Sequence, residues 1–384
     1  MICPLFKYDN HPAGQQVIDN AKTMKHKEDQ YLLFLSSHLH VDYTKLKAMC
    51  DKKGIVAPKD SQRFSELNAV LYRICEQHKH AVQLHEFFSL IVGLLILPSS
   101  ILYRIYNPHD WTNVVLMMAS IVYYSFNVFH MRHHRGFLFN KHIYDRVSFV
   151  FDIIDNLFMR EPSQWINNHQ LSHHIYTNLD DDYDYFSKYP VIRYDVVQPK
   201  LWFHNYQHIY VLMLYCVSEI LRLLDKLPIR GRRVSVIIKN CICFIVHYTL
   251  MIYLPHFISG ISLYHAILLY IMCYILLSLM LALLFQVSHN HADMNHIMDK
   301  TTKITSFDQF IDAQMKESVS WGGLWSSIMF GGINYQTEHH LAPACSPIAL
   351  HYFHFYLKKN YKQYNYVPTF ADACLNLYRN LKKQ

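Results

Sequence analysis

Four groups of side chains in this sequence have the types and spacing to bind metal. His130, His133 and His134 stand in Phe-His-Met-Arg-His-His, and His169, His173 and His174 in Asn-His-Gln-Leu-Ser-His-His. His289 and His291 follow a long apolar run, and Gln336, His339 and His340 lie in Gln-Thr-Glu-His-His. Imidazole ligates metal near neutral pH because it is then largely neutral and offers a lone pair. Histidines four apart on a helix share a face and can chelate one ion; His130 with His134 and His169 with His173 have that spacing. Eight or more such ligands are too many for one zinc, which takes four, so they suit a pair of metals. An all-nitrogen set with little carboxylate favours iron, copper or zinc.

Something must gather groups that lie as far apart as residues 130 and 340. The chain of 384 residues is 52% apolar and 15% aromatic, yet its mean hydropathy is +0.01. Very apolar stretches must therefore alternate with very polar ones, as in a polytopic membrane protein. The formal charge of +7 fits that class, because cytosolic segments of membrane proteins are rich in Lys and Arg. No interleaved basic and aromatic pattern points to nucleic acid. With 27 histidines in the chain, a lone histidine carries little weight. Nine cysteines without a CxxC pair fit a reducing setting rather than a disulfide framework. The start, Met-Ile-Cys-Pro, lacks a basic segment followed by an apolar one, so no cleaved signal peptide is expected.

Residues 1–80 are polar and read as a cytosolic segment with short amphipathic helices, such as Phe64 to Cys75. His11-Pro12-Ala13-Gly14 is not read as part of a fused cytochrome b5 domain: too little chain precedes it, and no second haem histidine follows at a suitable spacing. Four apolar runs approach the roughly 20 residues that a bilayer core requires. They cover about 87–103, 111–129, 234–254 and 261–288, and turns at Asn107–Asp110 and Pro255–Gly260 join them into two hairpins. Val147–Phe158, with Asp152 and Asp155, is too short and too charged to span. Ile209–Leu224, with Glu219 and Arg222, reads as a helix lying at the interface. The basic cluster Arg230, Arg232 and Arg233 places the start of the third run in the cytosol. Runs two and four then both end in the cytosol, and all four histidine groups share one membrane face. At 1.5 Å per residue the fourth run would be roughly 42 Å long against a core of ~30 Å, which puts His289 at a projecting end. The expected fold is an all-α membrane protein with four transmembrane helices in two hairpins and a cytosolic helical cap holding a histidine-rich di-metal site. Residues 1–80 would be an N-terminal cytosolic segment, 81–375 the membrane domain and 376–384 a C-terminal tail.

Two irons close together can activate O₂ to remove hydrogen from an unactivated C–H bond, and a hydrocarbon substrate would explain a site at the membrane face. Two other readings compete. One is a set of ordinary surface histidines, against which stand three dense clusters at the ends of predicted spans. The other is a histidine-rich loop of a metal-binding or transport protein. That reading would place ionisable residues within the spans, where only Lys239, His247 and His265 stand. His247 and His265 are expected to be interfacial or hydrogen-bonded core residues.

The sequence resembles the membrane fatty acid desaturase family. His130-x-x-x-His134 is similar to its first histidine box. His169-x-x-x-His173-His174, with Ile-Tyr-Thr-Asn178 and an Asp-rich stretch behind it, resembles the second. Phe285-Gln286-Val287-Ser288-His289 looks like the additional histidine after the last span, and Gly331 to Pro343 like the third box. The leading Gln336 resembles the front-end and acyl-lipid branch rather than the stearoyl-CoA type. The resemblance runs from about residue 85 to 375. It implies a non-haem centre of two iron ions, with O₂ as co-substrate, that inserts a double bond into a fatty-acyl chain held as a CoA ester or in a lipid. The implied ligands are His130, His134, His169, His173, His174, His289, His339 and His340, with Gln336 as a ligand or its neighbour. Gln286, Asn178, Trp165 and Asp180–Asp184 would support them by hydrogen bonds. Met131 stands where the family carries an acidic residue, His133 and His291 are surplus, and Leu-Ala-Pro replaces Leu-Phe-Pro. Electrons would come from a separate carrier, cytochrome b5 or a ferredoxin, and in a eukaryote the location would be the endoplasmic reticulum membrane. A sphingolipid desaturase, hydroxylase or acetylenase on the same scaffold fits the same boxes.

Overall fold

The computed structural model describes residues 24, 27–52, 62–135, 141–158, 162–186, 188–224, 234–291, 301 and 303–384. His11–Gly14 and the Arg230–Arg233 cluster lie outside the described residues. Three helices come first: α1 (Lys27–Ser37), α2 (Tyr43–Lys52) and α3 (Gln62–Gln77). Next are α4 (Lys79–Tyr106), α5 (Thr112–His134), α6 (Lys141–Leu157), α7 (Gln207–Leu224), α8 (Val234–Ser259) and α9 (Leu263–Gln286). The last part holds α10 (Phe307–Glu317), α11 (Gln336–Leu341), α12 (Pro347–Asn360) and α13 (Phe370–Lys383). Strands β1 (Ser320–Trp321) and β2 (Tyr366–Val367) pair in parallel, Ser320 opposite Tyr366 and Trp321 opposite Val367.

Helices α4, α5, α8 and α9 are long and apolar enough to cross a membrane. Their bounds depart from the apolar runs for a physical reason: a helix does not stop where hydropathy does. Helix α4 begins at Lys79 and carries His80, Gln83 and Glu86 before its apolar part. Helix α9 goes the other way and stops at Gln286, short of Ser288. His289 is therefore placed not by a projecting helix end but by the turn that follows, where its N–H donates to the Gln286 carbonyl at 3.2 Å.

At the hairpin end of α4, buried Arg104 ties the four spans together. Its Nε donates to the Met251 carbonyl of α8 at 3.0 Å, and its Nη1 to Asn113 Oδ1 of α5 at 2.9 Å. Its Nη2 reaches the Ala266 carbonyl of α9 at 3.5 Å. Asn113 in turn donates to the Pro108 carbonyl at 3.1 Å and so fixes the turn. Helix α7 packs along α9, where Ser278 Oγ accepts from the Glu219 N–H at 3.1 Å, and leaves Ile209, Met213 and Leu221 outward.

The cap has its own apolar core. Leu32 and Leu35 of α1 and Phe64 and Leu67 of α3 pack with Phe307 and Phe310 of α10 and Phe353 of α12. Ile166, Leu171, Ile175 and Leu179 belong to the same core, so the N-terminal helices support the second histidine group directly. Tyr176, two residues past His174, also donates its hydroxyl to Asp29 of α1. The third group is held by a close approach. Gly331 has φ +60°, and a Cβ there would sit 2.4 Å from the Phe126 carbonyl of α5. Only glycine meets both conditions without strain.

Candidate metal centre

The nine side chains expected to ligate metal come together and are buried. They form two groups. One ring nitrogen from each of His130, His134, His169 and His339 lies within 4.8 Å of the others, and one from each of His173, His289 and His340 makes a second such set. His174 stands between the sets: its Nε2 is 3.1 Å from His169 Nε2, and its ring stacks on His340 with centroids 4.2 Å apart. Gln336 belongs with the second set, its Nε2 being 2.8 Å from His289 Nε2 and 3.0 Å from His340 Nε2.

The division corrects one expectation. His130 and His134 share a set, as residues four apart on an α-helix should. His169 and His173 do not. They lie in Ile166–His173, which is π-helical and therefore bonds i to i+5. That wider turn carries residue i+4 off the shared face and brings i+5 towards it, so His169 meets His174. A second π-helical turn, Ser125–His130, ends on the first histidine of α5. Adjacent His339 and His340 on α11 point into different sets, as successive residues on a helix must.

The second set is oriented from behind by oxygen. His173 Nδ1 is 2.9 Å from Asp182 Oδ2, and His289 Nδ1 lies 3.4 Å from the Glu317 carbonyl. His340 Nδ1 is 2.8 Å from Gln314 Oε1 and 2.9 Å from Thr177 Oγ1. Carboxylate, carbonyl and amide oxygens only accept here, so each Nδ1 carries the proton and each Nε2 offers a lone pair. Yet His173 and His289 bring their Nε2 atoms to 3.2 Å. Among the described residues, the Nε2 atoms of His134 and His339 are buried without a partner, as is Gln336 Oε1. A half-turn of that amide exchanges its two ends and aims the oxygen at the same two imidazoles. Buried lone pairs converging on one another cost free energy unless a cation lies among them. The donor set thus fits two metal ions.

The electrostatics agree. Burial, with neighbouring imidazoles adding to it, holds His169, His174, His339 and His340 well below the ordinary imidazole value, and His289 is pushed down to about 3. They stay neutral, as ligands must. His173 shifts the other way: burial lowers it, but the Asp182 charge and hydrogen bond outweigh that and leave it raised. Asp182 is buried too, and His173 together with the Asn178 N–H holds its carboxyl below the usual range.

Other expected residues fall differently. Trp165 packs its ring on His169, His134 and His130, at centroid distances of 4.5, 5.2 and 5.5 Å. Asn178 Nδ2 donates to the His289 carbonyl at 3.0 Å. Of the Asp180–Asp184 run, Asp182 alone meets a histidine ring among the described contacts. Gln286 instead accepts from Asn290 at 2.7 Å. His133 lies outside both sets, 3.6 Å from Asp155, and His291 accepts from Asn376 at 2.5 Å. His247 is a hydrogen-bonded core residue, with the hydroxyls of Tyr270 and Tyr274 at 3.0 and 3.2 Å.

Sequence reasoning missed Gln314 and Glu317, which reach the site from α10 and carry no motif. It also missed Glu338. This fully buried carboxylate accepts from Tyr364 at 2.5 Å and from Ser320 at 2.6 Å, with His354 Nδ1 at 3.2 Å, and so fastens α11 to β1 and α12. Its place inside Gln-Thr-Glu-His-His was the available signal.

Fold and site together define a polytopic helical membrane protein with two buried groups of histidines that could each hold a metal ion. The chain belongs to the fatty acid desaturase family, whose profile matches residues 110–371. It is 26% identical over 369 residues to the acyl-lipid (7-3)-desaturase, chloroplastic, of Chlamydomonas reinhardtii, covering 88% of this chain and 69% of that protein. It is 25% identical over 378 residues to the probable Delta(5) fatty acid desaturase C of Dictyostelium discoideum, covering 88% and 79%. It is 28% identical over 238 residues to the acyl-lipid (8-3)-desaturase of Physcomitrium patens; there the match spans 57% of this chain and about half, 49%, of the relative. No solved structure matches the chain.

Proposed function

We propose that the protein is a membrane-bound desaturase that uses O₂ and two electrons to insert a double bond into a fatty-acyl chain. The observation that carries this is the convergence of eight imidazoles and Gln336, with unpartnered lone pairs, at the ends of membrane-spanning helices. One iron would be held by His130, His134, His169 and His339. The other would be held by His173, His289, His340 and Gln336, with His174 between the two. Bound iron supplies the O₂ chemistry that side chains lack. In balance, the acyl chain gives up two hydrogens with two electrons, the carrier gives two more electrons, the medium gives two protons, and O₂ leaves as two waters.

The chain's own residues do the rest. Asp182, Gln314, Thr177 and the Glu317 carbonyl aim their imidazoles inward and fix the tautomer. Phe126, Phe285 and Phe330 pack together below the histidines, with Phe126 against His130. This apolar wall between spans and cap suits an acyl chain and keeps water out. The desaturase domain would cover 81–375. The names of the relatives favour a lipid-bound acyl group over a CoA ester. Exposed Lys358, Lys359, Lys362, Lys382 and Lys383 on the cap suit an acidic carrier, cytochrome b5 or a ferredoxin, approaching the cytosolic face of the endoplasmic reticulum membrane.

Expression in yeast with several polyunsaturated feeds, followed by gas chromatography of total fatty acids, tests the reading. A new double bond is expected, and its position gives the regiochemistry. If the wild type and a His339→Ala/His340→Ala variant give identical profiles on every feed, sphingoid bases included, the enzyme reading is overturned. Purified protein should carry about two irons per chain; zinc alone would count against the assignment.

A further inference from the structure

The two sets of histidines are supported in different ways. Each imidazole of the second set has an oxygen behind its Nδ1, and for His173 that oxygen belongs to the buried carboxylate of Asp182. Asp182 is itself fixed, because its Oδ2 accepts from the Asn178 N–H and its Oδ1 from the Asp184 N–H, both at 2.8 Å. Gln314 Nε2 is likewise fixed by the His174 carbonyl at 3.1 Å. In the first set, among the described residues, no oxygen bonds a ring nitrogen of His130, His134, His169 or His339. Those rings are held instead by aromatic faces and by one another, with Trp165 and Phe126 against them. Trp165 itself is only half-buried. An oxygen behind a ligating imidazole fixes the ring and raises its basicity; losing such a partner typically lowers metal affinity about 10–100-fold.

We propose that the two metal positions are unequal: the His173/His289/His340 position with Gln336 fills first and holds tightest, and the His130/His134/His169/His339 position fills second and exchanges. This rests on the two-metal reading of the cluster. Asp182 is then a positioning residue, acting through His173 on one metal alone. The difference gives the centre an order of assembly. The tight ion gathers the second group, His289 and α11, while the first set keeps its own rings and its own affinity.

The test uses the full chain, purified in detergent, stripped with a chelator and titrated anaerobically with Fe(II), with bound iron per chain as the readout. Two binding steps of different affinity are expected in the wild type. Asp182→Asn should weaken the tighter step about 10–100-fold and leave the other step in place. Asp182→Glu should restore part of the loss, which a merely structural lesion would not show. His134→Ala should remove the weaker step only. If Asp182→Asn fails to fold, Gln314→Leu carries the same test through His340. A single step of one affinity for both ions, or equal weakening of both steps by Asp182→Asn, overturns the inequality while leaving two metals in place. No uptake above background in the wild type overturns the two-metal reading itself, and the inequality with it.

Discussion

Two buried polar clusters stand at opposite ends of the spans, and they differ in how their polar atoms are used. At the hairpin end, Arg104 donates to the Met251 and Ala266 carbonyls and to Asn113 Oδ1, and Asn113 closes the turn beside it. Donors meet acceptors there. At the other end the bonds run outward, from the Nδ1 side of each second-set ring to oxygens behind it, while the Nε2 side faces other Nε2 atoms. Buried polar groups normally find partners, so a cluster that withholds them on one side is built around something else. The difference separates structural polar residues from candidate ligands more sharply than residue type does. His247 shows this, since it is a buried histidine whose Nε2 lies beside two tyrosine hydroxyls.

The comparison can be broken by four variants. His339→Ala/His340→Ala takes one ring from each set, and should lower product and retained metal more than about 100-fold, read by gas chromatography and metal analysis. Gly331→Ala places a Cβ against the Phe126 carbonyl at a positive φ. It should cost about 2–4 kcal/mol, read as a lower unfolding midpoint in detergent, and should reduce metal retention because the third group shifts. Arg104→Met leaves Asn113 Oδ1 and the Met251 carbonyl unpaired, and should cost about 1–3 kcal/mol while metal per folded chain stays at the wild-type level. Equal loss of metal from Arg104→Met and from the double histidine variant would erase the distinction between the two ends. His247→Gln keeps a hydrogen-bonding group beside the tyrosines. Its expected cost is within about 1 kcal/mol, with an unchanged product profile.

Residues 24–77 give a second, smaller lesson. Their sequence carries no motif, yet Leu35, Leu67 and Phe64 are buried in the core that backs the second histidine group. Apolar positions on short amphipathic helices say that a face will be buried, but not against what.

The sequence by itself determined the four apolar helices, the pairing of His130 with His134, and the identity of the nine side chains that converge. Each of these is a local property: run length, spacing along one helix, or a box of adjacent residues. Only the tertiary structure decided how these nine side chains divide. The π-helical turn sends His169 and His173 to different sets, because its wider pitch moves residue i+4 off the shared face. The turn after Gln286, not a longer helix, delivers His289. Gln314 and Glu317 arrive from a helix with no signature of its own; the rings they back lie 26 and 28 residues away in the chain, and Gln314 is itself fixed by the His174 carbonyl, 140 residues away.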